Sequence, residues 1–398
     1  MSLQHIQQRS AELFESIVAF RRDMHRNPEL SFHEVETQER IRTFLTAHDM
    51  ESTVCAETGL VVLIKGKNPE KAVVALRADI DALPIRETNQ TDYCSINDGV
   101  MHACGHDVHT SSLLGCAVIL NELKDAFEGT FKLIFQPGEE KLPGGASIMI
   151  REGVLTNPDV HSMIGQHVMP LIDAGKVGFR SGLYMASADE IYITVHGKGG
   201  HAAHPHQTID PVSVSAHIIT ALQTIVSRSA KPSIPSVLSI GKIIGNGATN
   251  VIPNEVYMEG TFRTFDENWR AEAHQLIEKN VNGIAQSLGA RADVEVRKGY
   301  PYLENNPEVT HRARQCAVEY LGEENVVDLD IWPAGEDFAF YSQLVPSTFY
   351  RLGTRNESMG ITSMLHTPTF DVDERCLRIG PGLMAYTAIQ ELAFRCES

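Results

Sequence analysis

Hydrophobic positions divide the chain into helical and extended segments. Apolar residues recur every three or four positions in residues 6–24 and 35–45, which predicts two amphipathic helices separated by the Asn27-Pro28 pair. A further helix is predicted after His109. Short apolar, β-branched runs predict buried strands at 59–66, 72–78, 129–136 and 163–168. This alternation is typical of an α/β protein with a central, mostly parallel sheet flanked by helices.

The stretch from about residue 187 to about 300 has a pattern of its own. Its predicted elements are strand 190–196, helix 212–227, strands 236–244 and 255–265, helix 269–288 and strand 292–297. This β-α-β-β-α-β order is that of a ferredoxin-like α+β unit, which can fold around its own core. A helix at about 307–321, a strand at 348–352 and a helix at about 374–395 follow. We therefore predict an outer domain at 1–186 and 301–398 and an inserted domain at 187–300.

Composition narrows the classes of partner. The chain has 398 residues, 42% of them hydrophobic, which is enough for two separate cores. The net charge of -17 argues against binding to nucleic acid or to an anionic membrane, because both require clustered Lys and Arg. The first residues lack the pattern of a secretory signal, so a cytoplasmic location is expected. Seven scattered cysteines are not the pattern of a disulfide framework.

The most informative segment is residues 101–109 (MHACGHDVH), which places a thiol and three imidazoles in a predicted loop before a helix. Cys104 and His106 can direct a thiolate and a neutral imidazole at the same ion, and a helix start tends to lower the pKa of a thiol. The competing interpretation is a polar turn in which histidines cap the helix.

Two adjacent carboxylates, Glu139 and Glu140, follow the strand predicted at 129–136. Neighbouring residues at a strand end diverge, so one carboxylate can bind a metal while the other faces the attacking water. A solvated turn is the competing interpretation. His167 and His366 each precede a proline in the outer domain. One thiolate, three imidazoles and a carboxylate are too many donors for one tetrahedral zinc, which indicates two ions about 3.5–4 Å apart.

The chain resembles the M20 metallopeptidases, and within them the amidohydrolase branch. The shared motifs are 24–30 (MHRNPEL), 77–84 (RADIDALP), 102–109 (HACGHDVH), 138–140 (GEE), 199–205 (GGHAAHP), 249–253 (TNVIP) and 335–338 (GEDF). The resemblance covers nearly the whole chain. It implies that the outer domain is catalytic and that the inserted domain acts as a lid and forms a homodimer.

The same resemblance assigns the site residues. Two divalent ions are implied to be held by Cys104, His106, Glu140, His167 and His366, with Cys104 between them. Glu139 is implied to be the general base. Asp79 stands where other branches place a metal-binding histidine, and Asp81 is expected to act behind the ligands. Zinc is the expected ion, with manganese, cobalt or nickel as alternatives.

The inserted domain contributes candidate substrate contacts. Four histidines crowd its glycine-rich loop, and the resemblance implies that His201 stabilises the oxyanion, whereas the roles of His204 and His206 stay open. A flexible exposed loop is the alternative. Arg263 is a candidate for binding a substrate carboxylate, with an internal salt bridge as the competing account. Asn250 is placed near the substrate by the resemblance.

These features predict an amidohydrolase that cleaves small N-acyl amino acids to a carboxylic acid and a free amino acid. A dipeptidase or aminopeptidase with the same metal centre is the enzymatic alternative. A metal-loaded binding or sensor protein and a hydrolase with Cys104 as nucleophile are the alternatives from other classes.

Overall fold

The computed structural model describes residues 2–397. The α-helices are α1 (Leu3–Arg26), α2 (Val35–Ala47), α3 (His106–Glu122), α4 (Gly145–Arg151), α5 (Pro211–Thr224), α6 (Glu267–Ser287), α7 (Pro307–Leu321), α8 (Ala339–Ser342) and α9 (Gly380–Glu397). The strands are β1 (Ser52–Cys55), β2 (Gly59–Lys65), β3 (Val73–Asp79), β4 (Thr130–Gln136), β5 (Ser162–Asp173), β6 (Val177–Phe179), β7 (Gly182–Met185), β8 (Asp189–His196), β9 (Gly200–His201), β10 (Ser236–Ile244), β11 (Val251–Ile252), β12 (Glu255–Thr264), β13 (Arg291–Lys298), β14 (Leu303–Asn305), β15 (Val326–Asp328) and β16 (Ser347–Arg355).

Contacts divide the chain into two units, each with its own core. The outer unit comprises the residues up to Tyr184, Glu304–Ile331 and the residues from Asp337 onward. The inserted unit comprises Met185–Leu303 and Trp332–Glu336.

The outer unit is built on an eight-stranded sheet in the order β1-β2-β4-β3-β5-β16-β6-β15. Its central strands β4, β3, β5 and β16 run parallel. Strands β1 and β2 are antiparallel to their neighbours, and β6 is antiparallel to β16 but parallel to β15. Every residue of β3 and β4 is buried, as expected for strands in a sheet covered on both faces. The predicted α/β fold with a mostly parallel sheet is confirmed.

The parallel strands bring polar side chains to one edge of this sheet. In the register of β3 and β4, Asp79 lies opposite Gln136, so both strands end at the same level. Glu139 and Glu140 follow β4 directly, and His167 lies on the neighbouring strand β5. Ligand sites of open α/β sheets form at these carboxyl ends.

The inserted unit has an antiparallel sheet in the order β10-β12-β8-β13, and α5 and α6 follow the first and third of its strands along the chain. The observed β8-α5-β10-β12-α6-β13 sequence confirms the predicted ferredoxin-like order. Apolar residues of both helices pack with one face of the sheet, among them Ile193, Ile218, Met258 and Ile277, all fully buried.

Two predicted helix starts are wrong. Helix α3 begins at His106 instead of after His109, so the last part of the 101–109 motif forms its first turn. The C-terminal segment begins with a 3-10 turn at Glu374–Arg378, and α9 begins at Gly380 because Pro381 suits the first turn of a helix. Among residues 2–397, we find no helix that combines the length and the apolar character needed to cross a membrane.

Candidate metal centre

A glycine turns the chain into helix α3 and places the thiol of Cys104 beside the imidazole of His106. Gly105 has φ 81°, and a Cβ atom there would lie 2.5 Å from Val168 Cγ2, so a larger residue would be strained and would clash. Both flanking side chains are buried. This tight turn explains how the motif combines a ligand-bearing loop with a helix start.

The five predicted ligands converge, although they come from four segments of the chain. Cys104 Sγ lies 3.5 Å from His167 Nε2 and 3.3 Å from His366 Nε2. Glu140 Oε1 lies 3.2 Å from His366 Nε2 and 3.9 Å from His106 Nε2. These distances are short enough for the donor atoms to share ions.

The donors form two overlapping triads that share Cys104. One triad is Cys104, His106 and His167, and the other is Cys104, Glu140 and His366; within each, the donor atoms lie within 4.8 Å of one another. Among the described residues, His106 Nε2 and Glu140 Oε1 are buried without a hydrogen-bond partner. Burying polar atoms in this way is costly unless something satisfies them. The donor set would therefore suit two cations, with Cys104 common to both triads.

Glu139 lies next to these triads and is nearly enclosed by protein, with 7% of its surface exposed. Its carboxylate comes within 4.8 Å of donor atoms of His106 and Glu140. The Asp337 backbone N–H donates to Glu139 Oε1 over 3.4 Å. A carboxylate in this position can contact a molecule bound at the triads.

Asp81 holds two of the predicted ligands at once. Its Oδ1 accepts a hydrogen bond from His106 Nδ1 at 3.1 Å, which leaves His106 Nε2 directed at the site. Its Oδ2 accepts from the Glu140 backbone N–H at 3.0 Å and from the Ser31 hydroxyl at 2.6 Å. Asp81 is fully buried, so it is suited to orient ligands from behind.

His109, the last histidine of the motif, has both ring nitrogens engaged by protein. Its Nδ1 donates to Asp79 Oδ1 at 2.6 Å, and its Nε2 accepts from the Val168 backbone N–H at 2.8 Å. His109 therefore links β3 to the residue after His167. Local sequence does not indicate this role, because the partners of His109 lie 30 and 59 residues away along the chain.

A buried polar network supports the same edge of the sheet. Arg77 donates to Asp79 Oδ2 at 2.6 Å and to Asp337 Oδ1 at 2.7 Å. The Gln136 amide also donates to Asp337, at 2.7 and 2.8 Å. The network ties β3 and β4 to the GEDF motif, whose Asp337 amide contacts Glu139.

The pKa of the Cys104 thiol is raised well above its usual value, which is opposite to the expectation from a helix start. Burial is the main cause, and the negative charges of Glu140 and Glu139 add to it. These outweigh the helix because they act on a desolvated group at short range. Bound cations would reverse the effect.

The two buried imidazoles differ in pKa. Burial lowers the pKa of His106, but Asp79 and Asp81 outweigh burial and raise it to about 10. Burial and the charge of Arg351 lower the pKa of His167 well below its usual value. His167 Nδ1 donates to the Val168 carbonyl at 2.8 Å, so its Nε2 carries the lone pair that faces Cys104. An ion binding at Cys104 and His106 must therefore displace protons.

The three predicted substrate-contact residues lie in the inserted unit. His201 and Val251 pair across the β9–β11 ribbon, and the Ala202 N–H donates to the Asn250 carbonyl at 3.0 Å. His201 and Asn250 are therefore neighbours, and both are exposed. His201 Nδ1 accepts from the Ala203 N–H at 3.1 Å. Arg263 lies on β12 and is partly buried, and burial lowers its pKa.

Comparisons with known proteins agree with this fold. Residues 75–390 match the family model described as Peptidase family M20/M25/M40. N-acetylcysteine deacetylase of Bacillus subtilis is 38% identical over 378 residues, covering 94% of this chain and 96% of the relative. N-acyl-L-amino acid amidohydrolase of Geobacillus stearothermophilus is 42% identical over 301 residues, covering 75% and 80%.

A solved structure of similar sequence also indicates the M20 family. The YXEP protein of Bacillus subtilis, described as a dinuclear metal binding peptidase from the M20 family, superposes with a TM-score of 0.82 at 35% identity, covering 96% of this chain and 99% of that one. These matches confirm the resemblance drawn from the sequence motifs. The chain belongs to peptidase family M20.

Proposed function

We propose that the protein is a metal-dependent amidohydrolase that cleaves N-acyl amino acids to a carboxylic acid and a free amino acid. The observation that carries the proposal is the pair of donor triads sharing Cys104, with the carboxylate of Glu139 beside them. Relatives named for N-acyl amino acid hydrolysis support the substrate class.

The five donors of the triads are the proposed ligands of two divalent ions. Such ions, when bound, polarise an amide carbonyl and lower the pKa of water toward about 7. Glu139 is the proposed general base: it takes a proton from the attacking water and delivers it to the leaving amine. Its position beside Glu140, held by the Asp337 N–H, supports this division between base and ligand.

The inserted unit is proposed to bind the rest of the substrate. Arg263 is partly buried, and within residues 2–397 it forms no ion pair, since the nearby Asp189 is engaged by Arg270 and His274; this favours binding of a substrate carboxylate over an internal salt bridge. His201 is proposed to donate to the oxyanion, because its Nδ1 accepts from backbone and its Nε2 can carry the proton. Asn250, its neighbour, is proposed to contact the same group.

Zinc is the proposed ion, since thiolate and imidazole donors favour zinc, cobalt or nickel over magnesium; manganese is the alternative where availability decides. A homodimer through the inserted unit is also proposed. Strand β10 lies at an edge of its sheet and exposes Val237, Ile243 and Ile244, and an uncovered edge strand with apolar side chains favours pairing with a second copy.

Replacing Glu139 by Gln tests the base. We expect Glu139→Gln to keep both metal ions and to lower kcat about 100- to 10,000-fold on N-acetyl and N-benzoyl amino acids. Glu140→Gln is the matched control, because it should lose metal as well. Metal content is measured by elemental analysis of the same samples, and wild-type kcat in Glu139→Gln would contradict the assignment.

The alternatives are separated with the same preparations. A peptidase would hydrolyse free dipeptides faster than N-acyl amino acids. A Cys104 nucleophile would survive chelation and give a trappable acyl-enzyme, whereas the proposed enzyme loses activity on chelation and regains it with added ion.

A further inference from the structure

A cavity of about 290 Å³ lies in the outer unit, and its lining residue Phe32 packs on Gly138, the residue before Glu139. Most of its wall is apolar: Phe32, Ala56, Leu142, Pro143 and Ile148. The cavity is close to the lower end of the range for small-molecule pockets, about 300 Å³. It is large enough for a short branched chain or a single ring.

The cavity and the Glu139 turn share structural supports. The Phe32 ring packs on Gly138, where an added Cβ atom would lie 2.3 Å from the ring. Glu34 accepts from the Gly138 N–H at 2.8 Å and from the Thr58 hydroxyl at 2.7 Å. Gly138 immediately precedes Glu139, and Phe32 and Thr58 both line the cavity. One buried carboxylate therefore fixes the cavity wall against the start of the turn.

Strand topology places the cavity at the active edge of the sheet. Strand β2 runs antiparallel to β4 with Leu60 opposite Phe135, so the turn before β2 lies beside the end of β4. The loop after β4 closes through a 3.0 Å hydrogen bond from the Gly145 N–H to the Gly138 carbonyl. That loop begins with Glu139, and Leu142 lies three residues later, at most about 11 Å along the chain.

Resting on the proposed function, we propose that this cavity binds the acyl group of the substrate and selects a neutral hydrocarbon group, either branched aliphatic or a single aromatic ring. The sequence motif places Lys141, Leu142 and Pro143 directly after the carboxylate pair, so this loop sets the shape of the wall. Burying an apolar acyl group against these side chains is favourable by the hydrophobic effect.

Two acids at the cavity define what it excludes. Glu152 accepts from the Ala56 N–H at 2.7 Å, and Glu57 is exposed. Both residues also line the cavity. An acyl group that ends in a carboxylate would meet like charge there, so N-succinyl amino acids should bind more weakly than N-pentanoyl ones of similar length.

The test fills the cavity and measures binding and hydrolysis separately. Leu142→Trp should lower the ratio of the affinity for an N-benzoyl amino acid to the affinity for its N-acetyl counterpart at least about tenfold. In an apolar pocket, losing the fit to one or two methylene groups changes binding by about this factor. Leu142→Asp should lower the same affinity ratio for a different reason, because it places a charged side chain in the apolar wall. Leu344→Trp, at an exposed position of the same unit, is the control and should change neither affinity.

Binding is titrated calorimetrically in the Glu139→Gln background, and kcat/KM is measured in the parent. An unchanged benzoyl-to-acetyl affinity ratio in both Leu142 variants overturns the acyl cavity, whatever the activity. Succinyl binding as tight as pentanoyl also overturns it. A shifted ratio without any hydrolysis by the parent supports the cavity and overturns the proposed reaction instead.

Discussion

Replacing Asp107 by Asn should destabilise the protein strongly, because it leaves a buried arginine without its main partner. Arg21 Nε on α1 lies 2.7 Å from Asp107 Oδ2 on α3, and neither side chain is exposed. His25 Nδ1 lies 2.8 Å from the same oxygen. Burial alone would raise the pKa of Asp107, but Arg21 and His25 hold it far below its usual value, so the carboxylate is charged.

The chain contains a matched control between the same two helices. Arg9 on α1 and Glu122 on α3 form an ion pair at 2.8 Å, but 29% and 42% of their side chains are exposed. Removing one partner of a buried pair costs about 3–5 kcal/mol, whereas an exposed pair contributes about 0–1 kcal/mol. At about 2 °C per kcal/mol for a unit of this size, Asp107→Asn should lower Tm by about 6–10 °C. Glu122→Gln should lower it by about 2 °C or less.

Thermal unfolding of chelated protein, followed by calorimetry, measures both shifts. Chelation is needed because Asp107 follows the proposed ligand His106, and a change in metal affinity would otherwise add to the change in Tm. Equal shifts in the two variants would refute the reasoning, since burial is the property in which the two pairs differ most.

Two further predictions follow from buried carboxylates. Asp81→Asn should weaken metal binding about 10- to 100-fold, because an amide cannot accept hydrogen bonds from His106, Ser31 and the Glu140 N–H together. Competition with a chromophoric chelator measures the metal affinity. Asp98→Asn, at an exposed position, is the control and should leave the metal affinity unchanged. Asp189 accepts from His274 at 2.7 Å and from Arg270 at 2.9 Å, and although burial raises its pKa, these partners lower it below 3.8. Because the pKa of Asp189 is lower in the folded state than in the unfolded state, its charged form stabilises the folded protein at neutral pH. This stabilisation is lost as the pH falls through the folded-state pKa, so acid unfolding of the inserted unit should begin below about pH 4. In Asp189→Asn, this part of the pH dependence should disappear; an unchanged acid transition followed by circular dichroism would contradict it.

The spacing of hydrophobic residues predicted most of the helices and strands, because each long element buries one apolar face and repeats apolar residues at a regular interval. The helix at 307–321 and the strand at 236–244 have the predicted bounds, and β3 and β4 are the buried strands expected. Short strands such as β6 and β15 were not predicted, since three residues carry no detectable period. Their position depends on pairing with distant strands.

The candidate ligands were predictable because thiol, imidazole and carboxylate donors stand at strand ends and in motifs. The residues that hold these ligands in place were not predictable from the sequence. Glu34 and Ser31 have no unusual local sequence, yet one fixes the turn before Glu139 and the other binds Asp81. A polar residue becomes a support only through a partner far along the chain, and a single sequence does not specify that partner.

The distribution of buried charge explains why the centre can be rich in acid without disrupting the outer unit. Asp107 is paired with Arg21, and Asp79 and Asp337 share Arg77, so these three buried carboxylates have arginine partners within the protein. The Cys104 thiol and the Glu140 carboxylate instead lie beside histidines, and buried atoms of Glu140 and His106 have no hydrogen-bond partner among the described residues. Arginines thus neutralise Asp79, Asp107 and Asp337, while the negative charge at the triads remains available for the proposed ions.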